Sequence, residues 1–125
     1  MKKALDADQS VRLTEAIVLG IQEVKGRDIV TLDLRNVPNS MSEHFVICHG
    51  DSNTQVEAIA ASVDKFVRAG MNEKPWHVEG ERNAEWVLMD YVNVVVHIFH
   101  KSKRGFYELE ELWADAARRT YPNVA

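Results

Sequence analysis

At 125 residues with 46% hydrophobic content, the chain can bury one core but hardly two, so a single domain over 1–125 is expected, with tails at 1–9 and 118–125. Fifteen basic and nineteen acidic residues leave a net charge of −4, which opposes broad engagement of a phosphate backbone and suits a basic protein partner. The one cysteine, Cys48, excludes an internal disulfide, "MKKALDADQS" lacks the apolar stretch of an export signal, and no window approaches a membrane span, so a cytoplasmic protein with no membrane contact is expected.

Ser10 reads as a helix cap, after which Leu13, Ile17, Ile21 and Val24 recur at helical spacing until Gly26. "DIVTLDL", Asp28 to Leu34, alternates as a strand, with Ile29 and Thr31 on one side and Val30, Leu32 and Leu34 on the other. "RNVPNSMSE" turns the chain, and "HFVICHG" predicts a second strand. Ser52 and Gln55 have capping-box spacing at the start of a helix whose apolar stripe is Val56, Ile59, Ala60, Val63 and Val67, ending at Gly70. "KPWHVEG" can supply a short strand, and Glu85 to Phe99 holds two strands meeting near Val92 and Asn93. Phe106, Leu109, Trp113 and Ala116 mark a last helix. The order predicts an α/β or α+β domain: a mixed sheet of about five strands packed by three helices.

A hairpin over Glu85 to Phe99 with a two- or four-residue loop pairs even-numbered residues with odd-numbered ones. One face then collects Val87, Met89, Val94, Val96 and Ile98, which is wholly apolar and reads as core. The other collects Trp86, Leu88, Asp90, Val95, His97 and Phe99. An unpaired aspartate is costly in a sealed core, so part of this face is expected to meet water or a partner. Trp86 beside Asp90 fits either an interface anchor or an aromatic cap on the core.

The catalytic and metal readings are thin. His97 and His100 are three residues apart, an odd offset that sends their side chains to opposite faces of a strand, and His44, His49 and His77 are scattered. Neither a metal nor a cofactor is expected. "HGDSN", His49 to Asn53, resembles a phosphate-binding helix start, which keeps a nucleotide-handling enzyme as the alternative, but capping already explains Ser52 and Gln55. Asp33 stands alone where nucleotidyl transfer needs paired carboxylates for metal ions. Lys101, Lys103 and Arg104 form a basic turn with the charge for a minor contact to RNA, and the following Glu108, Glu110 and Glu111 suit the first turns of a helix.

"FVICHGDSNTQVEAIA", "HVEGERNAEWVLMDY", "VVVHIF" and "FYELEELW" together resemble the signature segments of the ribosomal silencing factor, or Iojap, family, over roughly residues 10 to 115. The resemblance implies a fold similar to nucleotidyltransferases but without their catalytic carboxylates. It implies a binding protein, not an enzyme. Such a protein would bind large-subunit ribosomal protein number fourteen, block joining of the small subunit, and repress translation when nutrients are scarce. On this reading the docking residues are Trp86, Leu88, Asp90, Tyr91, His97, Arg104 and Tyr107. A minor contact with ribosomal RNA and a weak homodimer of the free protein are further expectations. Where the family commonly has Gly-Asp in the hairpin turn, this chain has Val92-Asn93, and a valine resists the positive φ of a type I′ turn.

Overall fold

The computed structural model describes residues 7–40, 42–107 and 116–125. Helix α1 (Ala7–Glu23) buries Leu13, Ile17 and Ile21 and is closed off two residues beyond its end by Lys25, whose φ of 60° is left-handed. There the Gly26 N–H donates to the Ile21 carbonyl and the Lys25 N–H to that of Gln22, a paired closure that satisfies two end carbonyls. Ser10 lies inside α1 rather than capping it. Fully buried, it donates its hydroxyl to Glu43 Oε2 at 3.0 Å.

Strands β1 (Arg27–Asp33) and β2 (His44–Gly50) pair antiparallel and lead into α2 (Asn53–Met71). Ser52 caps α2 by accepting the Gln55 N–H, as the spacing predicts. The Gln55 side chain accepts the Asp51 N–H and donates to the carbonyls of Val24 and Lys25, tying the start of α2 to the end of α1. The helix passes Gly70 and stops at left-handed Asn72, φ 53°. Gly20 permits the two helices to close: a Cβ there would stand 2.9 Å from Val63 Cα, and Ser62 donates its hydroxyl to the Gly20 carbonyl.

Strands β3 (His77–Glu79), β4 (Trp86–Asp90) and β5 (Val94–His100) follow, then helix α3 (Lys101–Tyr107) and strand β6 (Ala117–Thr120). Among the described residues the strands form a six-stranded mixed sheet in the order β3-β4-β5-β2-β1-β6, in which β2 and β5 run parallel and the other neighbours antiparallel. The α+β architecture is the expected one, with one strand more than expected. β6 falls where a C-terminal tail was expected; its four residues are all exposed, so no apolar alternation announces a strand that is held by pairing with β1. Ala116 is a buried bend residue, not part of a helix, and Leu109 and Trp113 lie outside the described residues.

The sheet carries apolar groups on both faces. α1 and α2 cover the first, where Ile29, Val46, Val87, Met89, Val96 and Ile98 join the helices' buried residues in one core. Val30, Leu32, Leu34, Ile47 and Phe99 form a second cluster on the opposite face, against which Phe45 and Trp86 pack half-buried.

Candidate functional site

The register of β4 and β5 pairs Trp86 with Phe99, Leu88 with His97 and Asp90 with Val95, so the even-to-odd sorting holds and these side chains share the second face. β2 extends the row, placing Phe45 beside Val95, Ile47 beside His97 and His49 beside Phe99. Trp86 stacks on Phe99 with centroids 5.2 Å apart, and Phe45 meets the His97 ring edge-on at 4.7 Å. The Trp86 indole N–H donates to His97 Nδ1 at 3.1 Å. That bond requires Nδ1 to accept, and it fixes the orientation of both rings. His97 is 5% exposed and holds the Trp86 indole from beneath, whereas Trp86, Leu88 and Asp90 are half-buried.

At the other end of β4, half-buried Asp90 braces the hairpin tip: its Oδ1 accepts the Val92 N–H at 2.7 Å. The turn is two residues long, Val92-Asn93, closed by the Tyr91 N–H donating to the Val94 carbonyl. Val92 takes φ 77° while Asn93 stays outside the positive region, so this is not a type I′ turn. The Asn93 N–H also donates to the Tyr91 carbonyl, a γ-turn in its rare, strained form. Asn93 anchors the strained tip. Its side-chain amide donates to Glu43 Oε2 at 2.9 Å, and its carbonyl accepts the N–H groups of Glu43 and His44.

Of the other expected docking residues, Tyr91 is placed on the opposite face. It is 1% exposed within the helix-covered core, so direct contact with a partner is sterically closed to it. Burial pushes its hydroxyl pKa up. Arg104, in α3, donates toward His49 Nδ1 at 3.0 Å and to the Arg27 carbonyl at 3.4 Å. His49 neighbours Phe99, so Arg104 belongs to the Trp86 end of the face, roughly 13 Å along the strand from Asp90. The side chain of Tyr107 lies outside the described residues.

Sequence reasoning passed over Trp76, which precedes β3 and is 69% exposed, the most exposed of the large hydrophobic residues described. Its N–H donates to the Asp90 carbonyl, so it stands beside the strand that carries Trp86. The available signal was an aromatic between Pro75 and His77 that belongs to no apolar repeat.

Asp33, Cys48 and the His49–Asn53 loop are each bonded or buried. Asp33 is gripped by Arg35 through both carboxylate oxygens, and this hydrogen bonding lowers its pKa to about 2. Burial raises the Cys48 thiol to about 12, which leaves it unreactive. In the His49–Asn53 loop, the Asp51 N–H and the Ser52 hydroxyl are both bonded to Gln55. Among the described residues no group of three His, Cys, Asp or Glu side chains could hold a metal ion, and no helix is long and apolar enough to cross a membrane.

Residues 7–125 match the family "Ribosomal silencing factor during starvation". The chain belongs to this family. The ribosomal silencing factor of Bacillus subtilis is 43% identical over 93 residues, covering 74% of this chain and 76% of the relative. That of Halalkalibacterium halodurans is 39% identical over 105 residues, covering 83% and 87%. A crystal structure from Chromobacterium violaceum superposes with a TM-score of 0.78 at 32% identity, covering 83% of this chain and 85% of that one. The family's sheet-and-helix architecture is therefore shared by an experimentally solved relative.

Proposed function

We propose that this protein is a cytoplasmic ribosomal silencing factor that binds the large subunit through ribosomal protein number fourteen, blocks joining of the small subunit, and represses translation under nutrient limitation. The observation that carries the reading is the family match across residues 7–125. The geometry supplies a surface suited to it. Trp86 and Leu88 lie half-open on the second sheet face, and Trp86 is pre-oriented by His97 and Phe99. A rigid, partly exposed aromatic loses little entropy on docking, which is why such residues anchor interfaces. The acidic balance of the chain suits a basic ribosomal protein. The mode of action is steric occupation, not catalysis.

Purified protein added to separated subunits should reduce the joined-ribosome peak in sucrose gradients in a dose-dependent way, while ribosomes already joined resist it. Unchanged joining at saturating protein would rule the reading out.

A further inference from the structure

The edge of the sheet at β3 combines three features that the docking face does not use. The first is an open strand edge. The Tyr91 N–H donates to the Val94 carbonyl, so β4 turns the backbone groups of Val87 and Met89 toward β5 and those of Leu88 and Asp90 toward β3; His77 and Glu79 therefore pair inward, Val78 turns its backbone N–H and carbonyl outward, and β3 is the terminal strand among those described. The second is a cavity of about 280 Å³ between α2 and this edge. Its floor is apolar, from Ala60, Val78, Val87 and Met89, and its exposed rim carries Glu57 and Glu81. Arg68, the cation among its lining residues, is already held by Asp64 at 2.9 Å. The third is Trp76, 69% exposed at the start of the same strand.

We propose that the β3 edge is a docking site for an extended, basic peptide segment of a partner protein, which adds a strand beside His77–Glu79 and lowers a lysine or arginine into the cavity. The register explains the specificity. Val78 pairs with Met89 and faces the cavity, whereas His77 and Glu79 face the other way. A residue laid opposite Val78 therefore projects over the cavity, and its neighbours project to the second face. A lysine there rests its aliphatic stem on Val78 and Pro75 and brings its ammonium to Glu57 and Glu81. Trp76 offers a ring face to a second cation or an apolar side chain. Because β3 is three residues long, backbone pairing is brief, and the cavity and Trp76 carry the selectivity.

This inference goes beyond the ribosomal reading and does not rest on it. The test uses the full chain and a capped octapeptide of alternating lysine and valine, with two control peptides: one with glutamate at each lysine position, one N-methylated at alternate amides. Titration calorimetry should show the lysine peptide binding at least tenfold more tightly than either control. Glu57→Gln combined with Glu81→Gln should weaken it at least tenfold, as should Trp76→Ala, without a change in melting temperature, since all three side chains are exposed. Equal binding by the three peptides, no binding, or binding unchanged in both variants would overturn the proposal. So would displacement of the peptide by a short single-stranded RNA that binds more tightly at Trp76, which would make the edge a nucleic-acid site.

Discussion

Along β4, Val87, Met89 and Tyr91 point one way and Trp86, Leu88 and Asp90 the other, and both sets contain large apolar groups. Their fates differ. The first set is 1%, 2% and 1% exposed beneath α1 and α2, while all three of the second are half-buried. Hydrophobicity alone therefore does not decide which side of a strand becomes core; the cover supplied by other elements does. On the second face the aromatic residues at β4 are organised by one another, through the Trp86–His97 hydrogen bond and the stack on Phe99.

The sharpest break of this comparison is Met89→Ala. Truncating a 2% exposed core residue should lower stability by about 2–5 kcal/mol, and binding to large subunits should fall only as the protein unfolds. Denaturant titration beside co-sedimentation checks it. If stability is unchanged, the helix-covered face is not the core that the burial implies.

A smaller effect of opposite sign is expected at the hairpin tip. Val92 is held at φ 77°, a conformation that a β-branched residue adopts only under constraint. Val92→Gly should relieve the strain and stabilise the protein by about 1 kcal/mol, less than the full strain because glycine also gains freedom in the unfolded chain. A lowered melting temperature would mean that the Asp90 and Asn93 contacts do not force the turn.

The smallest effect concerns pH. His44 and His49 both have lowered pKa values, with burial as the largest cause. The folded protein thus binds fewer protons than the unfolded chain just below the ordinary histidine value, about 6.5. Their contribution to stability is full above that value and declines as pH falls through it toward their lowered folded pKa values. Melting temperatures between pH 7.5 and 5.5 should fall, and fall less in His44→Gln. An identical slope in the variant would show that His44 is not one of the groups responsible.

The face assignment was legible because hairpin parity needs only an even-numbered loop, and the same parity bears on Tyr91: its odd number groups it with Val87 and Met89, against its expected role in docking. The helix stripes were legible for the same periodic reason. What escaped the sequence depends on pairing between distant segments. β6 has four exposed residues and exists through its register with β1. Ser10 looks like a cap in isolation but belongs to a polar cluster with Glu43 and Asn93, contributed by three separate stretches. Asp90 also accepts the Val92 N–H two residues away, a local bond that its place in the apolar run does not announce.

The central claim, that the half-open β4 edge of the second face docks on the large subunit through Trp86, is tested most directly by Trp86→Ala in paired melting and large-subunit co-sedimentation, measured at a temperature where the variant remains folded. The account predicts binding weakened by about 2 kcal/mol or more in protein that is still folded. A variant that melts early, yet whose folded fraction binds large subunits as the unaltered protein does, would show that Trp86 caps the second core and is no anchor.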